Sequence, residues 1–248
     1  MLQIPPRIPE IHAPIFDEIY LKGARKYRHQ AGKDFKTVAK QLVQKMNLPR
    51  GAVAIELACG IGTLAYLVAE EVPENRIVGI DIDPIAVENA KTFYQHQNLE
   101  FRVADVYALN TDELSPSAVF CFHSVHHFDR LDDALVQINA ILPRDGYIHI
   151  QDLSRASLIL PRSPKMFQQV YSMRKSNSDE ECMNLFRQRG WLSGQNANEL
   201  VVAMSCGAAY TPQEVIRALQ RTGFNKITLS EDCSSSLMTI YTVRAYKK

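Results

Sequence analysis

The stretch AVAIELACGIGTLAYLVAEE, residues Ala52–Glu71, decides the fold. It begins with an apolar run that carries one acid, Glu56, and the run stops at two glycines, Gly60 and Gly62, separated by one residue. A periodic apolar segment follows at once, which predicts a strand, a tight turn and a helix in that order. Because glycine lets the backbone approach a ligand closely, we expect a dinucleotide or an adenosyl group to lie against this turn.

Length and composition restrict the class of protein. The chain has 248 residues, of which 46% are hydrophobic, and this suits one large α/β domain or a domain with an insertion. The net charge is only +1, so a nucleic-acid partner would need a local basic patch. The five cysteines form no CxxC pair, a pattern typical of reduced thiols. No apolar run approaches the ~20 residues that a membrane-spanning helix needs, and we expect a cytoplasmic protein.

Strands and helices alternate through the first part of the chain. The predicted elements are strand Val53–Leu57, helix Thr63–Glu71, strand Arg76–Ile80, a helix opened by Pro84, strand Leu99–Ala104, strand Ala118–Phe122, helix Leu131–Leu142 and a strand opened by Gly146. Such alternation is typical of a parallel sheet that is covered by helices on both faces. We therefore predict an α/β, doubly wound, Rossmann-like sheet.

The alternation stops after this point and resumes near the end of the chain. Residues 154–209 show no strand pattern, and two segments among them, PKMFQQVYSM and EECMNLFRQRGWL, have helical spacing. This length predicts a helical insertion or lid. A capping box formed by Thr211 and Glu214 opens a last helix, and two strands without a helix between them predict an antiparallel last strand. The expected domains are an arm with helices covering the site (1–48), the core (49–153 and 210–248) and the insertion (154–209).

The glycine turn alone fits two classes of protein. Gly60 to Ala65 matches the G-x-G-x-x-G/A dinucleotide fingerprint, and Asp81 follows at the distance expected of a ribose-binding acid, which would indicate a dehydrogenase. Three features favour an adenosyl cofactor instead. Glu56 is costly inside a strand unless a cation or a donor faces it, Asp105 follows the third strand where it can accept from an adenine amino group, and the closing hairpin is foreign to the simple nucleotide fold.

Taken together, five segments resemble class I S-adenosylmethionine-dependent methyltransferases of the small-molecule type. They are AIELACGIGTLA, VGIDIDPIAVENAK, FRVADV, ILPRDGYIHIQD and YTPQEVIRALQRTGF. The resemblance covers residues 35–152 and 210–246, and its specificity lies in the order and spacing of the segments. One departure is LSPSAVFCF, which has serines and a proline where the family often places an acid before the fourth strand.

The resemblance implies S-adenosylmethionine as the cofactor and assigns its contacts. The glycines would lie under the methionine part, Glu56 would order that part, Asp81 would hold the ribose hydroxyls, and Ile82 would pack on adenine. Asp105, with the backbone of Val106, would read the adenine amino edge. The implied cofactor-binding residues are Glu56, Ala58, Gly60, Gly62, Asp81, Ile82, Asp105, Val106 and His123. In isolation, Asp81 and Asp105 are also compatible with simple turn carboxylates.

The chemistry should lie beyond the carboxyl ends of strands four and five. The segment FHSVHHFD places His126 and His127 there, and Asp152 ends the fifth strand, so we take these three residues as candidate catalytic groups. Local packing for the histidines and capping for Asp152 are the alternatives. His123, His126, His127 and Asp129 offer metal ligands, but they lie on one short segment without a second cluster, so no metal is expected.

Two segments compete to cover the acceptor. The arm contributes Tyr20 and Tyr27, and the insertion contributes Met166 and Tyr171, although an insertion rich in methionine and aromatic residues can instead form its own small core. The basic stretch from Lys22 to Lys36 is most simply a solvated helix face, and the alternatives are a surface for an anionic small substrate or for RNA.

The sequence therefore predicts methyl transfer to a small organic metabolite at oxygen, nitrogen or carbon. The alternatives are a non-catalytic or non-methylating protein that uses the bound cofactor for cyclisation or rearrangement, and an RNA methyltransferase. We expect a small-molecule acceptor and neither a nucleic acid nor a membrane as partner, and these features leave room for a homodimer.

Overall fold

The computed structural model describes residues 4–9, 35–109, 114–159, 164–232 and 239–248. Its centre is a seven-stranded sheet in the order β3-β2-β1-β4-β5-β7-β6. The strands are β1 (Val53–Leu57), β2 (Arg76–Asp81), β3 (Leu99–Val103), β4 (Ala118–Phe122), β5 (Tyr147–Leu153), β6 (Phe224–Asp232) and β7 (Ile240–Lys247).

The first five strands are parallel, and β7 runs antiparallel to both of its neighbours, β5 and β6. This confirms the predicted doubly wound sheet and its antiparallel last strand. Between β1 and β4 the order of the strands reverses direction. In open α/β sheets, the carboxyl ends of the strands at such a point form the crevice in which ligands bind.

Helices cover both faces of the sheet. They are α1 (residues 35–46), α2 (Thr63–Glu71), α3 (Pro84–Phe93), α4 (Leu131–Ile141), α5 (Lys165–Ser176), α6 (Asp179–Gln188), α7 (Gly194–Ala208) and α8 (Pro212–Arg221). Buried side chains of α1, α2 and α3 form one core layer, and those of α4 and α8 form the other. Residues 1–3 and 10–34 of the predicted N-terminal arm lie outside the described residues.

Side-chain alternation along β1 places its one acid. Ile55 and Leu57 pack into the layer formed with α4 and α8, whereas Ala54 packs into the layer formed with α1, α2 and α3. Because successive side chains of a strand point to opposite faces, Glu56 shares the face of Ala54. The acid is therefore buried on the side from which α2 begins.

The insertion has a core of its own, formed by side chains such as Phe167, Phe186 and Trp191 of its helices and the following turn. Helices α5 and α6 match the predicted helical spacing, but α7 was not predicted. The predicted capping box at the start of α8 is confirmed, since the Thr211 side chain accepts from the Glu214 N–H and the Glu214 carboxylate accepts from the Thr211 N–H. No helix in the described part of the chain is long and apolar enough to span a membrane.

Candidate active site

The two glycines of the turn after β1 have different roles. Both have positive φ, +54° at Gly60 and +78° at Gly62. A Cβ added to Gly62 would lie 2.4 Å from the Phe101 ring, whereas one added to Gly60 would meet no described atom within 4 Å. Gly62 is therefore required by packing between α2 and β3. Gly60 borders open space, which a ligand can fill.

Asp81, the last residue of β2, fixes this turn. Its carboxylate accepts from the Gly60 N–H at 2.7 Å and from the Asp83 N–H at 2.9 Å. A carboxylate oxygen can accept a second hydrogen bond, so both oxygens retain capacity for ribose hydroxyls. The geometry of Asp81 therefore fits both of its predicted roles, a carboxylate that fixes the turn and a carboxylate that binds the ribose.

Glu56 is a buried acid, only 4% exposed, below the glycine turn. Burial raises the pKa of its carboxyl group well above the ordinary value, the Ala65 N–H at the start of α2 lowers it in part, and the charge of Asp81 raises it further. Its Oε2 has no hydrogen-bond partner among the described residues. A donor or a cation is needed here, which fits the amino and sulfonium groups of an S-adenosylmethionine molecule.

Apolar side chains lie exposed at the neighbouring ends of β2 and β3. Ile82 is 59% exposed and Val103 is 52% exposed, although both are large aliphatic residues. Asp105, close by, accepts from the Tyr107 N–H at 2.9 Å and caps a short 3-10 turn, Val106–Ala108. These apolar surfaces fit the faces of an adenine ring, while Asp105 already has one structural partner.

The residues that directly follow β1 and β4 both have left-handed backbone. These are Ala58, with φ of +53°, and His123, with φ of +50°. Such a conformation costs a residue with a Cβ roughly 1–2 kcal/mol and is often found at functional sites. It turns the chain sharply at the edge of the crevice.

The ring of His123 stacks on Phe122 with a centroid distance of 4.4 Å. Burial lowers the pKa of His123, and the charge of Asp152 only partly opposes this shift. Its Nε2 has no hydrogen-bond partner in the described part of the chain. The ring is thus neutral, and its Nε2 can form a hydrogen bond with a ligand.

His126 and Asp152 form a buried pair at the ends of β4 and β5. The ring Nδ1 of His126 lies 2.7 Å from Oδ1 of Asp152, and the backbone N–H of His126 donates to Oδ2 at 3.0 Å. The Leu153 N–H also donates to the carboxylate, at 2.7 Å. The two side chains are 4% and 1% exposed. Asp152 therefore orients both the ring and the backbone of His126.

The carboxylate of Asp152 is held in its charged form. Burial alone would raise the pKa of Asp152, but the interactions with the His126 ring and the Leu153 N–H, together with the nearby His123 ring, outweigh burial and lower it. A buried carboxylate that receives three donors is stabilised as the anion. The pair therefore resembles the carboxylate and histidine of general-base sites.

The remaining predicted residues lie at the border of this centre or beyond it. The half-buried His127 has its ring 4.1 Å from the ring of His126. Met166 and Tyr171 pack against the core of the insertion, and the Tyr171 hydroxyl donates to the Pro6 carbonyl at 2.8 Å. Tyr20 and Tyr27 lie outside the described residues.

The four candidate metal ligands do not converge on one point. Nδ1 of His126 is held by Asp152, and the Asp129 carboxylate accepts from Arg7 at 3.2 Å. Over the residues that the structure describes, no group of three or more His, Cys, Asp or Glu side chains is placed to hold a metal ion.

Two residues near the pair were missed by sequence reasoning. Arg7 donates to the His126 carbonyl at 2.9 Å, and Tyr241 of β7 lies opposite Asp152 in the sheet. The Tyr241 side chain is buried, and its hydroxyl has no hydrogen-bond partner among the described residues. A tyrosine in an alternating strand and an arginine among prolines carry no signal that separates them from packing or surface residues.

Comparisons with known proteins agree with this geometry. Residues 54–146 match a family model described as "Methyltransferase domain". A release factor glutamine methyltransferase of Mycolicibacterium smegmatis is 36% identical over 61 residues, a match that covers 25% of this chain and 22% of that protein. The chain thus aligns with less than a quarter of that relative's length.

Solved structures resemble the chain in fold over most of its length. The plantazolicin methyltransferase BpumL, solved with SAH, has a TM-score of 0.64 at 13% identity, covering 96% of this chain and 92% of that one. The [4+2]-cyclase SpnF has a TM-score of 0.60 at 13% identity, covering 86% and 81%. The similarity to a methyltransferase domain thus extends over residues 54–146, and the solved structures show that the chain shares the fold of such proteins.

Proposed function

We propose that this protein transfers a methyl group from S-adenosylmethionine to a small organic acceptor that carries an ionisable proton, with His126 as the general base. The observation that carries the proposal is the buried contact of 2.7 Å between His126 Nδ1 and Asp152 Oδ1, at the carboxyl ends of β4 and β5. A histidine held by a carboxylate at this edge of the sheet is placed for proton removal.

The charged state of Asp152 determines which nitrogen of His126 carries the proton. An ionised carboxylate only accepts hydrogen bonds, so Nδ1 must be the donor. In the neutral ring Nε2 is then the basic nitrogen, as general-base catalysis requires. Asp152 also stabilises the positive ring that forms when His126 takes a proton from the acceptor.

The residues around the glycine turn can each be assigned to one part of the cofactor. When bound, S-adenosylmethionine supplies an electrophilic methyl group on a sulfonium. We assign the amino or sulfonium end to Glu56, the ribose hydroxyls to Asp81 and the exposed face of Ile82 to adenine. Asp105 with the backbone of Val106 is assigned to the adenine edge, and Gly60, Gly62, Ala58 and His123 to the methionine end.

A small acceptor is favoured by what lies over the carboxyl edge. The insertion, residues 154–209, has its own core, and residues 4–9 run against its helices α5 and α7. We propose that residues 4–9 and the insertion form a lid on the core (49–153 and 210–248), with Met166 and Tyr171 at its border. Such a cover limits the size of the acceptor and excludes water. The hydroxyl of Tyr241, which has no hydrogen-bond partner among the described residues, favours an acceptor with a polar group.

The cofactor assignment is tested by calorimetric titration with S-adenosylhomocysteine. Asp81→Ala removes the predicted ribose contact and the anchor of the Gly60 N–H, and we expect Kd to rise at least about tenfold, or ~1.4 kcal/mol. The matched control is Asp83→Ala, because this carboxylate caps α3 through the Ile85 N–H. The Kd of Asp83→Ala for S-adenosylhomocysteine should stay within about twofold of the wild-type value. Equal affinities of wild type and Asp81→Ala would refute this placement, and binding of NADH instead would refute the cofactor.

Product mass decides between transfer and rearrangement. Wild type is incubated with S-adenosylmethionine and a panel of phenols, amines and β-dicarbonyl compounds, and products are measured by mass spectrometry. We expect a product heavier by one methylene unit, with S-adenosylhomocysteine formed in equal amount. A new product of unchanged mass would instead indicate cyclisation, the kind of reaction for which the structurally similar [4+2]-cyclase SpnF is named.

A further inference from the structure

Residues 4–9 are fixed along the insertion by hydrogen bonds from several elements. The bonds are Ile8 N–H to Gly207 O (3.1 Å), Tyr171 hydroxyl to Pro6 O (2.8 Å), Arg155 Nε to Pro5 O (2.7 Å) and Arg174 Nη2 to Pro9 O (2.6 Å). Most of them are donated to backbone carbonyls of the segment. Prolines lack an N–H and hold an extended path, so their carbonyls are open to such donors.

Arg7 is the residue of this segment that reaches the proposed centre. Its Nε donates to the Ala208 carbonyl at 2.6 Å, and its Nη2 donates to the His126 carbonyl at 2.9 Å and to the Asp129 carboxylate at 3.2 Å. The guanidinium also lies 4.5 Å from the centre of the Tyr210 ring. One side chain thus joins the end of α7 to the turn that carries His126.

This turn has little support of its own. It is a single 3-10 turn, Val125–His127, in which the His127 N–H donates to Ser124 and the Phe128 N–H to Val125. Short 3-10 turns have poor hydrogen-bond geometry, so contacts from outside determine how firmly they are held. On one side Asp152 holds the His126 N–H, and on the other Arg7 holds the His126 carbonyl.

We propose that Arg7 is a positioning residue for His126. Its planar, charged fork fixes the peptide that follows His126, so the ring keeps the orientation that Asp152 defines. The N-terminal segment and α7 are thereby coupled to the base, and the centre is complete only when both lie in place. This inference rests on the proposed role of His126, but the position of the turn can be measured separately from catalysis.

A simpler account is that Arg7 only anchors the N-terminal segment. Arg174 provides the matched control, because it binds the same segment at Pro9 and pairs with Asp179 within the insertion. Its partners are the Pro9 carbonyl and the Asp179 carboxylate, neither of which belongs to the turn that carries His126. Anchoring alone predicts equal effects for Arg7→Ala and Arg174→Ala, whereas positioning predicts an effect on the turn for Arg7 alone.

Amide hydrogen exchange of the full chain, read by mass spectrometry over residues 123–130, tests this. We expect Arg7→Ala to accelerate exchange of the turn amides by about tenfold, the size of effect expected when a charge-assisted hydrogen bond is lost. Arg7→Lys keeps the charge without the fork and should fall between Arg7→Ala and wild type. Arg174→Ala should leave these amides unchanged. Unaltered exchange in Arg7→Ala, or the same acceleration in Arg174→Ala, would overturn the proposal.

A kinetic measurement separates this inference from the proposed function. With an acceptor that wild type methylates, Arg7→Ala should lower kcat at least about tenfold while the Kd for S-adenosylhomocysteine stays within about twofold, and Arg7→Lys should recover part of the rate. Loss of cofactor affinity equal to the loss of kcat would overturn the positioning role. If wild type methylates no acceptor, the proposed function fails, while the exchange measurement still decides the role of Arg7.

Discussion

Asp152→Asn is expected to lower kcat for methyl transfer by about 10²–10⁴-fold, while the Kd for S-adenosylhomocysteine stays within about twofold of wild type. The neutral amide no longer stabilises a positively charged His126 ring. In the wild type, the carboxylate accepts hydrogen bonds from the backbone N–H groups of His126 and Leu153, and in the variant the NH₂ group must face one of these two donors. Single-turnover rates and calorimetry measure the two quantities.

A double variant shows whether the pair acts as one unit. If it does, His126→Ala combined with Asp152→Asn should be no slower than the slower single variant. Thermal unfolding of Asp152→Asn shows whether the variant stays folded. Because one buried donor loses its acceptor, this variant should be less stable than wild type by about 1–3 kcal/mol. Additive losses of rate, or a fall in kcat matched by weaker cofactor binding, would contradict the assignment of His126 as the base.

Gly62→Ala is expected to lower the free energy of unfolding by about 2–5 kcal/mol. Positive φ costs alanine roughly 1–2 kcal/mol, and forcing a methyl group into a packed contact typically costs about 1–3 kcal/mol. Both apply here, since φ is +78° and the new Cβ would lie 2.4 Å from the Phe101 ring. Urea unfolding followed by circular dichroism measures the change.

Gly60→Ala is the matched variant, two residues away in the same turn. Its φ of +54° carries the backbone cost, but its new Cβ would meet no described atom within 4 Å. It should lose about 1–2 kcal/mol of stability and, because the methyl group enters the proposed ligand space, also lose affinity for S-adenosylhomocysteine. In Gly62→Ala, Phe101→Leu should restore part of the stability. Equal stability losses in both glycine variants, without rescue, would contradict the division of roles.

The core of the fold was predictable because its signals are local. Apolar runs, the two glycines and the proline at the start of α3 mark strands, turn and helix without reference to distant residues. Parallel strands meet at one edge with their carboxyl ends, so Asp81 and Asp152 could be assigned to that edge from order alone. Glu56 was noticeable because an acid in a buried strand needs a partner.

The pairings across the site were less predictable. The sequence places His126 and Asp152 at one edge, but only the tertiary structure brings Nδ1 of His126 to 2.7 Å from the carboxylate. Arg7 lies 119 residues from His126, and no periodicity links them. Helix α7 was missed because it begins at a glycine, which is a poor helix former, and no capping box follows Ser193 at its start.

One buried arginine limits how this protein can be recombined with its relatives. Arg155, 4% exposed, donates to the Pro5 carbonyl, to the Ala209 carbonyl and to the Glu214 carboxylate, which belong to the arm, the end of the insertion and α8. A chimera that exchanges only the insertion would separate this guanidinium from two of its acceptors and leave a buried charge without full pairing. Transplanting acceptor specificity therefore requires moving the insertion, the N-terminal segment and the start of α8 as one unit.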